Sequence, residues 1–259
     1  MKLAKNHLDL GLFSKNISSD LDFWQKIVGL DFEETLSLDQ PVVPGPTAQH
    51  RHNANGSVIK INDFQDIMPY SRNTPSGLKG LSIARDISKE LNYETNSGEF
   101  VRVLPKGRDG IHGIAVTIES KNPSRLENFY VKVLQFESIG PLKCRCGDTV
   151  LILQKGPGAT ETKTFVGEGF RYLTIQVFDA VATCNAIKNL GGRIAMEPIW
   201  VGEIAKVGFA LDPDGNWLEI SARASLTGIS PPIISSDIEH KLKLMFKEIL
   251  TPFLEVCPQ

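Results

Sequence analysis

The sequence predicts an α+β fold assembled from repeated βαβββ modules. Three observations carry this expectation: a strand–turn–helix pattern that recurs along the chain, apolar residues alternating at period two, and tight-turn signals between short strand-like runs. Residues 6–34, NHLDLGLFSKNISSDLDFWQKIVGLDFEE, align with residues 112–137, HGIAVTIESKNPSRLENFYVKVLQFE. Ser14-Lys15-Asn16 then falls on Ser120-Lys121-Asn122, and Phe23-Trp24 on Phe129-Tyr130. Each copy opens as an alternating strand, passes a polar turn and enters a short helix with an apolar stripe.

Another copy begins at Arg171, with Asp179 at its turn and Gly191-Gly192 as a helix stop. It ends in FALDPDGNWLEIS, which reads as a strand, an Asp-Pro-Asp-Gly turn and a strand. In the first copy Asn55-Gly56 separates two strand-like runs, a hairpin signal. A shortened module fits in second place: LSIARDISKELN reads as strand then helix, and GEFVRVLP as a closing strand.

One such unit leaves a sheet face open, whereas two side by side curve a sheet around a cavity. The expected architecture is therefore about four βαβββ modules paired into two curved open β-barrels with helices outside. Strands should begin near His7, Leu81, Ile114 and Leu173, each followed by a helix. The first half is placed at 1–108 and the second at 109–224, with Pro69–Gly77 and Lys106–Gly110 as linkers. The tail, 225–259, carries a capping box at Ser236-Asp237-Ile238-Glu239. Ile238, Leu242, Met245, Phe246, Ile249 and Phe253 follow at helical spacing, which predicts an amphipathic helix docked on the body or on a second subunit.

The formal net charge of −2 and the lack of a basic stripe argue against nucleic acid as a partner. No apolar run approaches the roughly 20 residues that span a bilayer. Met1–Asn6 lack the apolar core of a signal peptide. These features predict a cytoplasmic protein, and a monomer or homodimer is expected. Cys144, Cys146, Cys184 and Cys257 show no disulfide framework and no zinc-ligand spacing, and are expected as reduced thiols. There is no Gly-x-Ser-x-Gly elbow, phosphate-binding loop or Gly-x-Gly-x-x-Gly turn.

Strand alternation sorts the candidate site residues. If Leu8, Leu10 and Leu12 face the helix, then His7, Asp9 and Gly11 face the cavity. By the same rule Lys60, Arg51, Tyr172, Thr174, Gln176, Trp217 and Glu219 point inward, while His50 and His52 fall on the helix side or the rim. His112 lies one residue out of phase, and the second module offers Arg102.

Together, His7 at the head of the first strand and Asp212-Pro213-Asp214-Gly215-Asn216-Trp217-Leu218-Glu219 closing the last module resemble the vicinal-oxygen-chelate superfamily. That group comprises glyoxalases, bleomycin-resistance proteins and extradiol dioxygenases. The likeness runs to about Arg223, and GEIAKVGFALDPDGNWLEISARASLTG is similar to glyoxalase-like proteins of unassigned substrate. The resemblance implies a divalent metal on the cavity face, held by His, Glu or Gln from the first and last strands of the modules. Such an ion polarises two adjacent substrate oxygens as a Lewis acid. On this chain the implied ligands are His7 and Glu219, with His50, His52 and His112 as lesser candidates. Lys60, Tyr172 and Arg102 stand where further ligands belong, and Lys and Arg keep their protons at neutral pH. The expected metal site is therefore incomplete.

Two pairings remain open. If modules one and two pair, His7, Asp9, Arg51, Lys60 and Arg102 share a cavity whose excess positive charge suits a small anion. If modules one and four pair, His7 and Glu219 share a site with Tyr172 and Lys60. Two functions follow. One is an enzyme of the lyase, isomerase or dioxygenase type acting on a small oxygenated, anionic substrate. Its catalytic groups would be Glu219, His7 and Tyr172, with Lys60, Arg51, Arg102, Trp217 and Asp9 binding substrate. The other is a metal-free protein that binds or sequesters a small molecule against Trp217 and Tyr172.

Overall fold

The computed structural model describes residues 1–38, 48–64 and 68–232. The first module consists of β1 (Leu3–Ser14), α1 (Ile17–Asp22), β2 (Asp31–Ser37), β3 (Ala48–Ala54) and β4 (Ser57–Asp63). The second contains only β5 (Leu78–Arg85), β6 (Leu91–Glu94) and β7 (Phe100–Pro105). The third repeats the first: β8 (Ile114–Ser120), α2 (Pro123–Asn128), β9 (Glu137–Gly140), β10 (Lys143–Cys146) and β11 (Thr149–Lys155). The fourth has β12 (Gly169–Val177), α3 (Ala180–Asn189), β13 (Arg193–Val201), β14 (Ala205–Leu211) and β15 (Trp217–Arg223), and the short α4 (Ala224–Thr227) follows.

The internal repeat is reproduced down to its caps. Asn16 and Asn122, aligned in the sequence, both cap a helix, their side chains accepting from the backbone N–H three residues on. Both helices then widen into a π turn, Phe23–Ile27 and Phe129–Val133, which turns paired aromatic residues into the core. The second module departs from expectation. No helix follows β5, and Leu91-Asn92, read as the end of a helix, open strand β6. Only five residues, Asp86 to Glu90, separate β5 from β6, too few to nucleate a helix with a face to bury. The predicted tail helix at 236–253 lies outside the described residues.

The modules pair crosswise. An eight-stranded sheet runs β13-β14-β15-β12-β1-β4-β3-β2, joining modules one and four. A seven-stranded sheet runs β6-β7-β5-β8-β11-β10-β9, joining modules two and three. Each is centred on an antiparallel contact between first strands, β1 with β12 and β5 with β8, flanked by parallel pairings to the last strand of each module.

Alternation then divides the larger sheet. Leu8, Leu10, Leu12, Ile59, Ile61, Leu173, Ile175, Leu218 and Ile220 are buried on one face. They share a single core with Leu81, Ile83, Ile114, Val116 and Leu151 of the second sheet and with the helical residues Trp24, Tyr130 and Cys184. The opposite face is concave. Glu34 on β2 and Arg223 on β15 are five strand positions apart, about 24 Å in a flat sheet, yet their side chains meet at 3.1 Å. The sheet must curl for them to touch.

The turn between β14 and β15 staples several elements. The buried Asp212 accepts from Asp214 N and Asn216 N at 2.9 Å, from Asn216 Nδ2 at 2.8 Å, and from the Tyr130 hydroxyl at 3.1 Å. Asn216 in turn accepts from Gly77 N at 2.6 Å, tying the linker before β5 to the turn. Burial pushes the Asp212 carboxyl up to about 6 against the pull of these hydrogen bonds. A folded-state pKa raised from 3.8 means that the native state holds a proton which the unfolded chain releases. The associated stability is full below pH 4 and is lost as pH rises through 6. Across that window the wild type should lose up to about 3 kcal/mol relative to Asp212→Asn, measured by urea unfolding at pH 4.0 and 6.5. Parallel pH profiles for the two proteins would show that Asp212 titrates normally.

Candidate functional site

The concave face of the larger sheet has a polar floor and an aromatic wall. On the floor, Lys60 Nζ donates to Thr174 Oγ1 at 2.7 Å and to Glu219 Oε2 at 3.0 Å, and the Thr174 hydroxyl donates to the same Glu219 oxygen at 2.8 Å. β1, β12 and β15 set this up, because Asp9, Thr174 and Glu219 fall on one rung of adjacent strands. The long Lys60 side chain reaches across from β4. Burial lowers the Lys60 pKa, while Glu219 and then Asp9 oppose that shift. Asp9 accepts from Lys5 Nζ at 2.7 Å and from Val58 N at 2.9 Å.

Tyr172 links floor to wall. Its hydroxyl accepts from Asn62 Nδ2 at 3.2 Å and Gln49 Nε2 at 3.4 Å, and burial, with Glu219 adding to it, raises its pKa far above the usual phenol value. Its ring lies flat over Gly11, where an added Cβ would come within 2.0 Å of Cζ. Lys60 Nζ sits 5.6 Å from the ring centroid. Beyond Tyr172 the wall is Phe13, Phe209 and Trp217, all buried, with the half-buried Phe165 entering from the loop before β12. The Trp217 Nε1 donates to Thr162 Oγ1 of that loop at 3.3 Å.

Of the residues singled out by sequence, Asp9, Gly11, Arg51, Lys60, Tyr172, Thr174, Gln176, Trp217 and Glu219 line this one face. The others lie elsewhere. His7 sits under the β3–β4 turn, where a Cβ on Gly56 would be 2.5 Å from its Nε2. Its Nε2 is 3.8 Å from Asp148 Oδ2, and its buried Nδ1 lacks a hydrogen-bond partner. An irregular register between Leu3 and Leu8 takes His7 out of the phase that alternation gave it. Arg102 belongs to the other sheet, paired with Glu90 at 3.1 Å and Asp109 at 3.4 Å.

His52 is buried on the helix side against Gln25 Nε2 at 3.0 Å, and burial lowers its pKa. His50 bonds Thr35 across β2 at 2.9 Å, and His112 is exposed. Asn62 follows Lys60 by alternation to the same face; Gln49, Phe13 and Phe209 went unremarked, although alternation from Arg51 and Asp9 and the β14 register carries them there. Phe165 had no periodic signal, since it lies on a loop. The thiols of Cys144 and Cys146, free and buried, are pushed up to about 12 and so are unreactive.

The expected excess of positive charge is not present on this face. Arg102 is absent, Lys60 is paired with Glu219, and Arg51 Nε lies 3.1 Å from Glu34 Oε1. Glu34 and Glu219 supply the countercharge that Asp9 alone could not. Nor does the donor set fit a divalent ion. The ammonium of Lys60 already occupies the coordination space of Glu219, and a second cation there would meet it at close range in a poorly screened site. Among the described residues no three His, Cys, Asp or Glu side chains are grouped to hold a metal.

A two-sheet repeat with a polar and aromatic concave face defines the class of fold, and the comparisons place it. Residues 110–220, the third and fourth modules, match the model of the Glyoxalase/Bleomycin resistance protein/Dioxygenase superfamily. Glyoxalase I from Zea mays superposes with a TM-score of 0.60 at 14% identity, over 83% of this chain and 92% of that one. A candidate dioxygenase from Bacillus subtilis gives 0.60 at 12% identity, over 94% and 96%. A Vibrio parahaemolyticus protein named "Probable lactoylglutathione lyase" is 37% identical over 73 residues, 26% of this chain. The chain spans about half the length of that relative, 53%.

Removing one partner of the Lys60–Glu219 pair should leave an unpaired charge in a buried site. Lys60→Met alone is expected to cost about 3–5 kcal/mol, and Lys60→Met with Glu219→Gln much less than the sum of the single changes. A double-mutant cycle by denaturant unfolding measures the coupling. Additive losses would show that the pair is not coupled.

Proposed function

We propose that the chain binds a small molecule on the concave face of the eight-stranded sheet, without a metal ion. One observation carries this reading: charged and hydrogen-bonding side chains from modules one and four converge with four aromatic rings on one face. A few polar groups set among apolar and aromatic side chains are the usual makeup of a small-molecule site. The floor offers Lys60, Asn62 and Gln49 as donors, with Glu219 and Asp9 as acceptors. Buried Gln176 Oε1 has no hydrogen-bond partner, so an acceptor is left over for a ligand or a water. The cytoplasm, and a monomer or homodimer, are the setting in which we place this activity. No described helix is long and apolar enough to cross a membrane.

A second reading is an enzyme of the glyoxalase or dioxygenase type acting on a small oxygenated, anionic substrate. It is favoured by the buried Glu219 carboxylate beside an ammonium, a pair that can take and return a proton. Turnover of the hemithioacetal of methylglyoxal and glutathione, with and without added Mg²⁺, Ni²⁺ or Fe²⁺, tests it.

The binding reading is tested by thermal shift against small aromatic and oxygenated compounds, with and without a chelator. A ligand should raise the melting temperature saturably, since stabilisation grows as RT ln(1 + [L]/Kd), and the chelator should leave the shift unchanged. Glu219→Gln should weaken it. A shift abolished by chelation would make the site metal-dependent.

A further inference from the structure

Four buried rings form a box, and a fifth sits inside it. The Phe165 centroid lies 4.4 Å from Phe209 with the planes 17° apart, a stacked pair. It also lies 5.5 Å from Tyr172, 5.9 Å from Phe13 and 6.0 Å from Trp217. These four rings project from regular strands of the sheet, on β14, β12, β1 and β15. Phe165 alone comes from a loop, 156–168, and it alone is half-buried. Its backbone is tied lightly: the carbonyl accepts from Arg171 Nε at 3.4 Å. Firmer loop anchors lie on both sides of it: Thr162 Oγ1 accepts from Arg171 Nη2 at 3.2 Å and from Trp217 Nε1 at 3.3 Å, and Glu168 N donates to Tyr70 O at 3.0 Å. On the far side Gly169, with φ +83°, gives the chain a turn that other residues rarely adopt.

We propose that the Phe165 ring occupies the seat of the ligand's own ring, so that the site takes a flat aromatic molecule and the loop withdraws Phe165 to admit it. This rests on the small-molecule reading above and narrows it to an aromatic class. Aromatic rings prefer offset stacking on a flat partner at this spacing, and any flat ring of similar width satisfies the box equally well. Tyr172 touches both the seat and the charged floor, with Phe165 5.5 Å from its centroid at 81° and Lys60 Nζ 5.6 Å from the same centroid. A ring in the seat would therefore share Tyr172 with the ammonium, and its polar substituents could reach toward the floor.

The test is calorimetric titration of wild type, Phe165→Ala and Phe165→Trp with 2-naphthol and with cyclohexanol, which carries a hydroxyl on a ring that is not flat. If the ring is a removable stand-in, Phe165→Ala binds 2-naphthol at least tenfold more tightly than wild type, Phe165→Trp binds it more weakly, and cyclohexanol shows no such order. Phe165→Leu replaces Phe165→Ala if the latter fails to fold by thermal melting. Equal or weaker binding of 2-naphthol by the small-side-chain variant overturns the proposal, because Phe165 is then a fixed part of the wall. Binding of non-aromatic compounds to wild type with none of 2-naphthol to any variant also overturns it, while leaving the small-molecule reading intact. If no compound binds any of the proteins, both fail.

Discussion

Everything about the concave face depends on β1 lying against β12. That antiparallel contact joins residues more than 150 positions apart and brings the first and last modules into one sheet. Without it Asp9 and Lys60 have no neighbours in Thr174 and Glu219. It also sets the phase of both strands, since a one-residue slip would send Asp9, Tyr172 and Thr174 into the hydrocarbon core and Leu8 and Leu10 into the polar floor. Gly11 shows how tightly the contact is specified. It faces Tyr172 across the rung, and only a residue without a side chain leaves room for the ring.

The floor that this contact creates is electrically closed. Lys60, Arg51 and Arg223 share the face with Glu219, Glu34 and Asp9, and each cation has a named partner: Glu219 for Lys60, and Glu34 for both Arg51 and Arg223. Such a network is costly to desolvate and stays in place only because every charge is answered. It stands in contrast to a metal centre. There carboxylates answer an ion that comes and goes; here the cation is attached to the backbone of β4. The likeness to glyoxalase I is a likeness of fold, and chemistry is decided by these side chains.

Much of the fold was legible in the sequence because its signals are local. Alternation in LDLGLF and LTIQV, the polar turns at Ser14-Lys15-Asn16 and Ser120-Lys121-Asn122, and Asn55-Gly56 as a turn each act within a few residues. The second module was misread because LSIARDISKELN carries helix-compatible residues, while the next strand claims Leu91–Glu94. Site residues followed alternation where strands are regular, as for Lys60 and Glu219. They failed at His7, where an irregular register breaks the period. Which modules pair could not be read, because the choice between β1–β12 and β1–β5 rests on long-range packing that no local pattern encodes. The same ignorance kept Arg102 beside Lys60 in one of the two open pairings, whereas Glu34, opposite Arg51 on the next strand of the same module, was missed because β2 was not set in register with β3. Phe165 was invisible for another reason: a loop residue has no period.

The crosswise order of the modules also bears on how the chain is made. Residues 78–155 form a complete sheet from contiguous sequence, so this part can close as soon as it has left the ribosome. The first module is synthesised earlier but must wait for β12, which comes more than 150 residues after the start of β1. Until then the β1 edge presents unpaired backbone groups next to an apolar face, the kind of surface that recruits other strands. Contacts of such long sequence separation slow folding, and exposed edges make slow intermediates prone to aggregate. Synthesis stalled before residue 169 would thus leave a folded middle flanked by an orphaned first module, a species for chaperones to hold.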